Sequence, residues 1–136
     1  MSLDETYTIQ SADLSVKAEG AWGSPNQMVE LFTSYDWKSE LSLQAKLERE
    51  EAGESCPPGL ILLRSAGVYI HLCPNQNGTV TIYCMQNLPR KFLGIFNIKW
   101  DKLVTKEGAS HALALRAINK FMVNDENWLQ TNIKED

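Results

Sequence analysis

Three residues with metal-binding or nucleophilic side chains lie close together in the sequence, namely His71, Cys73 and Cys84. His71 and Cys73 are two residues apart, so on a strand they share one face. Cys84 follows on what we predict to be the partner strand of a β-hairpin over residues 67–85. If residues 77–78 formed a two-residue turn, the three side chains would cluster on one face, and such a set could hold zinc.

The hydrophobic pattern of this hairpin favours a different register. A two-residue turn would mix polar and apolar residues on both faces, whereas a five-residue loop over residues 74–78 makes one face apolar throughout. A half-buried strand pair favours the second arrangement, because a slip of one residue would turn its apolar set outward. The predicted opposing pairs are Leu72 with Val80, Ile70 with Ile82, and Val68 with Cys84.

The predicted register separates the cysteines and removes the metal hypothesis. It places Cys84 in the core, where a free cysteine behaves as a small hydrophobe. It leaves the polar residues of the hairpin on the opposite face. If the helices cover the apolar face, this polar face is a candidate partner-binding surface, and we assign it Tyr69, His71, Thr81 and Tyr83.

Catalysis requires a nucleophile with a base within hydrogen-bond reach and a group that orients the base. His71 and Cys73 stand roughly parallel on one strand, and no orienting acid is evident near them. The acidic run over residues 48–54 is typical of a solvated loop. No phosphate-binding or hydrolase motif is present in the sequence. We therefore assign no catalytic residue, no cofactor site and no metal ligand.

Length and composition describe one globular domain. The chain has 136 residues, 43% of them hydrophobic, which is enough to bury a hydrophobic core without disulfide bonds or a structural metal. We expect residues 1–5 and 131–136 to be loosely held. No apolar run is long enough to cross a bilayer, and the first residues lack the basic start and apolar core of a secretion signal. Three cysteines without a repeating spacing argue against a disulfide framework. The cytoplasm is the expected compartment.

The net charge of −4 disfavours general binding to nucleic acid. The charge is unevenly divided, with −7 over residues 1–58 and +3 over residues 59–136. Bases alternate with aromatic residues over residues 90–102, a mixture that can stack single-stranded bases or grip an acidic partner. The alternation of side chains along a strand also explains the spacing of these aromatic residues. We therefore interpret the segment as a core strand flanked by solvated lysines.

Two segments have the 3.6-residue period of an amphipathic helix. Ser24 and Gln27 form a capping box with Pro25 at the first helical position, which predicts a helix at about 25–36. A wide apolar face predicts a second helix at about 108–122 that lies across the sheet.

The remaining apolar segments favour strands. Short alternating stretches occur within residues 4–20, and a continuous apolar run at 60–63 indicates a central strand. Residues 41–50 consist of helix formers but alternate with period two, so we favour a strand there. We predict a turn at 87–89 and a strand at 92–100. The expected fold class is α+β, with an antiparallel meander of about four to six strands and the two helices packed on one face.

These features favour binding over catalysis. We expect a non-enzymatic protein-interaction module that binds another protein or itself as a homodimer. In size and acidity it is similar to small chaperones and toxin-immunity proteins, a likeness of class only. The alternative is a small-ligand or enzymatic domain with a pocket between sheet and helices.

Overall fold

The computed structural model describes residues 5–50, 55–65, 67–92 and 96–134, without the side chains of residues 87–102. The strands in this part of the chain are β1 (Thr6–Gln10), β2 (Val16–Ala21), β3 (Gly59–Ser65), β4 (Val68–Pro74), β5 (Val80–Phe92) and β6 (Phe96–Ala109). The helices are α1 (Pro25–Ser34), α2 (Trp37–Glu50), α3 (His111–Met122) and α4 (Glu126–Asn132). None of these four helices is long and apolar enough to cross a membrane.

The strands form one antiparallel sheet in the order β2-β1-β3-β4-β5-β6. From β3 to β6 each strand pairs with the next, while the β1–β2 hairpin joins through pairing of β1 with β3. Helices α1 and α2 lie in the connection from β2 to β3. The predicted α+β class with an antiparallel meander is confirmed, and the apolar run at 60–63 lies in a central strand as expected.

The core lies between one face of the sheet and three helices. Alternate residues of the central strands meet apolar residues of α1, α3 and α4 in a single cluster. Burial of each large side chain in such a cluster contributes about 1.5–3 kcal/mol. The largest fully buried members include Phe32, Phe121, Ile9, Leu60, Leu62, Ile70, Leu72, Ile82, Ile118, Leu129 and Ile133.

The two predicted helices are present with small changes at their ends. At the start of α1, the Ser24 hydroxyl accepts a hydrogen bond from the Gln27 backbone, and the Gln27 side chain accepts one from the Ser24 backbone. Helix α3 begins at His111 rather than 108, because β6 continues to Ala109 and Ser110 is the N-cap. Helix α4 ends at Asn132, and the following Ile133 is buried in the core cluster.

The prediction of a strand over residues 41–50 is wrong, because these residues belong to α2. Asp36 supports the first turn of this helix by accepting a hydrogen bond from the Ser39 backbone at 3.2 Å. The helical stripe through Trp37, Glu40, Leu41 and Gln44 carries two polar residues. Because Glu40 and Gln44 interrupt the apolar stripe, the 3.6-residue period is not visible in the sequence. The remaining apolar residues alternate by chance with the period of a strand. The high helix propensity of these residue types was the better indicator.

The predictions for residues 87–100 also need correction. Residues 87–89 lie inside β5 instead of forming a turn, and the predicted strand at 92–100 is replaced by the end of β5 and the start of β6. Pro89 is tolerated because β5 pairs with β4 only as far as Met85, which leaves one edge of β5 open beside the proline. The expected alternation of side chains over residues 92–100 lies outside the described side chains.

Trp22 and Trp37, which flank α1, both form hydrogen bonds that stabilise the fold. The indole N–H of Trp22 donates to the Thr6 carbonyl at 2.8 Å, and that of Trp37 donates to the Phe32 carbonyl at 2.7 Å. The Arg64 guanidinium lies 5.2 Å from the centroid of the Trp22 ring, within the range of a cation–π contact. Both indoles also pack against the core cluster.

Candidate functional site

The register of β4 and β5 defines two chemically different faces of the hairpin. Ile70 lies opposite Cys84, and Leu72 lies opposite Ile82, on the face that the helices cover. The predicted assignment of residues to faces is therefore correct, although the pairing itself is shifted by two residues. The five-residue loop occupies residues 75–79 instead of 74–78, because Pro74 pairs with Val80.

The polar face carries the four residues predicted to bind a partner, in a particular order. His71 lies directly opposite Tyr83, with ring centroids 6.0 Å apart. Thr81 lies opposite Cys73, nearer the loop over residues 75–79. Tyr69 lies at the other end, opposite Met85. The face is therefore continuous, with Thr81 and Tyr69 at its two ends.

Helix α2 lies beside the loop end of this polar face. It is held there by Glu40, which is only 6% exposed. The Glu40 carboxylate accepts hydrogen bonds from the hydroxyls of Ser11 and Tyr35, each at 2.9 Å. A buried carboxylate is tolerated only with such partners. From the loop, the Gln76 amide donates to the Leu41 carbonyl at 3.3 Å. Glu40 therefore positions α2, and the misassigned helix concealed it from the sequence analysis.

A cavity of about 330 Å³ opens between α2 and the polar face. Its volume is at the lower end of the range for small-molecule sites. The lining combines amides, hydroxyls, a phenol and a carboxylate with a few apolar groups. The residues that line it are Leu41, Gln44, Ala45, Glu48, Pro57, Cys73, Pro74, Asn75, Gln76, Thr81 and Tyr83.

The wall of the cavity at the loop is fixed by a small hydrogen-bond network. The Asn75 amide nitrogen lies 3.2 Å from the Thr79 hydroxyl and 3.1 Å from the Thr81 hydroxyl. Gly78 has the positive φ of +84° that the turn requires. Because both threonines are tied to Asn75, the Thr81 hydroxyl is presented to the cavity by a rigid turn.

His71 and Cys73 form a neutral pair at the inner end of the cavity. Their Nε2 and Sγ atoms lie 3.3 Å apart. Burial lowers the pKa of His71 to about 4 and raises the pKa of Cys73 to about 12. A reactive thiolate requires a lowered pKa, which a cationic neighbour supplies. At neutral pH this thiol is protonated and the imidazole is uncharged, so the pair is a poor nucleophile.

Cys84 does not belong to this pair. It lies on the opposite face of the sheet, fully buried in the core cluster, where burial raises the pKa of its thiol to about 12. The hairpin thus separates the three residues that a two-residue turn would have clustered. Within the described ranges, no group of three or more His, Cys, Asp or Glu side chains is arranged to hold a metal ion.

Two of the four predicted site residues line the cavity directly, namely Thr81 and Tyr83. His71, whose ring lies beside that of Tyr83, and Tyr69 are not among the lining residues. The sequence analysis missed Gln44, Glu48 and Asn75, because two of them belong to the helix that was predicted as a strand. A second depression of about 440 Å³ lies over β1 and β2 around Tyr7, but it is more open and no helix bounds it.

Comparison with known proteins gives no functional assignment, since no protein-family model matches the sequence and no curated protein or solved structure matches it.

Proposed function

We propose that the protein is a non-enzymatic interaction module that binds a protein partner at the cavity between α2 and the polar face of the sheet. One observation carries the proposal. The cavity brings several polar groups together at the predicted partner surface, while the one thiol in its lining, that of Cys73, has a pKa of about 12. The site is therefore equipped to recognise a partner rather than to attack it.

The lining indicates the chemistry of the partner. It contains the Glu48 carboxylate, the Tyr83 phenol and several neutral amides and hydroxyls, but no lysine, arginine or histidine among the residues that line this cavity. Such a surface suits a polar or basic segment with hydrogen-bond donors. Function as a small chaperone-like or immunity-like binding protein in the cytoplasm remains the proposed class. The free thiols of Cys56, Cys73 and Cys84 are in keeping with a reducing compartment.

A pair of variants on α2 tests the site. Ala45 lines the cavity and is exposed, so Ala45→Arg would fill the cavity without disturbing the core. Ser42→Arg adds the same side chain to an exposed position of the same helix that is not in the lining. We expect affinity capture followed by quantitative mass spectrometry to show a partner that binds wild type and Ser42→Arg but is lost with Ala45→Arg. Equal recovery with all three proteins would contradict the proposal.

The volume of the cavity also favours a second candidate, a small polar ligand. Native mass spectrometry of the purified protein distinguishes the two. A stoichiometric small-molecule adduct that Ala45→Arg removes would support a ligand pocket. Retention of the protein partner by Ala45→Arg, with loss of the adduct, would assign the cavity to the small molecule alone.

A further inference from the structure

Strands β5 and β6 continue well beyond the rest of the sheet. Strand β4 pairs with β5 only from Pro74 opposite Val80 to Tyr69 opposite Met85. Past this point β5 and β6 pair with each other through seven further residue pairs, from Gln86 opposite Lys102 to Phe92 opposite Phe96. We call residues 86–92 and 96–102 the ribbon. At about 3.3 Å per residue it is roughly 23 Å long.

The register divides the ribbon into two unlike faces. Successive residues of a strand alternate between faces, so even-numbered positions of β5 share the side on which Ile82 and Cys84 meet the helices. On that side the opposing pairs beyond Gln86 are Leu88 with Trp100, Arg90 with Ile98, and Phe92 with Phe96. On the other side they are Asn87 with Asp101, Pro89 with Lys99, and Lys91 with Asn97. One face is therefore mainly apolar and the other is polar.

A two-stranded ribbon with an apolar face is marginally stable in water by itself. In the described part of the chain, β6 packs extensively against β5 alone. Pro89 lacks a backbone N–H and so discourages a further strand from joining at the edge of β5. We therefore expect the apolar positions to be buried by another surface that packs on the face of the ribbon. A strand added at the edge of the ribbon would not bury them.

The charge of the ribbon indicates which surface that is. Its ionisable residues are Arg90, Lys91, Lys99, Lys102 and Asp101, which give a net charge of +3. The two on the apolar face, Arg90 and Lys102, are both basic. Residues 1–58 of the same chain carry −7. Complementary potentials steer association and fix the orientation of partners. Another copy of this chain therefore offers the ribbon exposed acidic residues, among them Glu19, Glu30 and Asp36.

We propose that the ribbon docks on the acidic N-terminal half of a second copy, and that the second ribbon docks reciprocally, so that a closed two-fold dimer forms. The ribbon is about 23 Å by 10 Å, since neighbouring strands lie about 4.8 Å apart. Two such contacts, each burying both surfaces, cover on the order of 1,000 Å², which is the low end for a specific interface. The dimer is accordingly weak, with a dissociation constant of about micromolar order.

Sedimentation equilibrium of the full chain from about 1 to 500 µM tests the dimer. We expect a monomer–dimer equilibrium whose dissociation constant rises about tenfold or more between 50 mM and 500 mM salt, because screening weakens contacts between exposed charges. The double variant Arg90→Glu/Lys102→Glu, whose two positions lie on the apolar face, should raise the constant by at least tenfold. The control Lys17→Glu/Lys38→Glu makes the same change of charge in the acidic half and should leave the dimer as strong or stronger.

A shortened ribbon gives an independent test. Replacing residues 88–100 by an Asn-Gly turn keeps Asn87 paired with Asp101 and should give a monomer whose circular dichroism retains the helical signal. A monomer at every concentration of wild type would overturn the proposal. So would a dimer that survives both the shortened ribbon and the Arg90→Glu/Lys102→Glu change. The ribbon contributes no residue to the lining of the cavity beside α2, so shortening it leaves the proposed partner site intact and the two proposals can fail independently.

Discussion

The Nε2 atom of His71 lies 3.3 Å from the Sγ atom of Cys73, and neither group is charged at neutral pH. Burial sets both protonation states, lowering the pKa of the imidazole and raising that of the thiol. In a thiolate–imidazolium pair the two pKa values would move in the opposite directions. The contact is thus a hydrogen bond between two neutral groups on the polar face, next to Tyr83.

The reactivity of the three cysteine thiols should decrease as their burial increases. Cys56 is half-buried, whereas Cys73 and Cys84 are buried with pKa values of about 12. We expect an aromatic disulfide reagent at pH 7.5 to label Cys56 first and the other two only on unfolding, because the thiolate is the reactive species. Mass spectrometry of timed digests measures the order. In Cys56→Ser the fast phase should vanish, and rapid labelling of native Cys73 would disprove the neutral pair.

Stability should fall as the solution becomes acidic through the titration range of His71. Its pKa drops from 6.5 to about 4 on folding, so between these values the unfolded chain binds the extra proton. Stability is therefore fully present above pH 6.5 and decreases toward pH 4, by up to about 3 kcal/mol at 1.36 kcal/mol per pKa unit. Urea unfolding at several pH values measures this slope.

The variant His71→Gln isolates the contribution of His71 from that of the acids that titrate in the same range. It keeps a polar side chain of similar size but cannot gain the proton. We expect its stability to change less steeply than that of wild type between pH 6.5 and 4. Parallel pH profiles would mean that His71 is protonated in the folded protein as readily as in the unfolded chain. His111, which is exposed, provides the matched control as His111→Gln.

Glu40 should dominate the attachment of α2. Glu40→Ala leaves the Ser11 and Tyr35 hydroxyls without their partner, and orphaned buried polar groups cost about 1–3 kcal/mol. Tyr35→Phe removes only one of the two hydrogen bonds and should cost about 1 kcal/mol. Glu48→Ala, on the exposed side of the same helix, should be nearly neutral. Chemical denaturation measures all three, and a Glu48 effect equal to that of Glu40 would contradict this role.

Gly59 should resist substitution even by alanine. A Cβ atom there would lie 2.5 Å from the Leu72 carbonyl oxygen and 2.6 Å from Nε2 of His71. The first obstacle is backbone, so relief requires a shift of β4, and we expect Gly59→Ala to cost about 1–3 kcal/mol. Gly20→Ala is the comparison, since its new Cβ would meet only the Tyr7 side chain at 3.1 Å. Equal thermal midpoints for the two variants would refute the close packing of β3 on β4.

The sequence predicted those elements in which polar and apolar residues alternate with the period of a strand or a helix. In the hairpin, one apolar face was enough to place Cys84 in the core and Tyr83 on the opposite side, but polarity could not distinguish registers two residues apart. The turn at residues 75–79 decided that register, and its hydrogen bonds through Asn75 depend on three-dimensional geometry.

Helix α2 escaped prediction for a related reason. A buried glutamate that faces the core side of a helix breaks the apolar stripe by which a helix is recognised. The partners of Glu40 are distant or lie in another element, since Ser11 precedes it by 29 residues. Four of the eleven residues that line the cavity were missed with this helix. A sequence pattern reports neighbours along the chain, whereas this site is made by residues brought together from three separate segments.

The pairing of β1 with β3 has a consequence for the order of folding. The meander from β3 to β6 is built from neighbouring segments, but Ile9 must find Leu60 across the whole length of α1 and α2. Closing that loop costs chain entropy before any contact is gained, so we expect the N-terminal hairpin to dock late. Ser11, which holds Glu40, follows directly after β1. We therefore expect the proposed partner site beside α2 to be completed only late in folding, so that an incompletely folded chain would not bind through it.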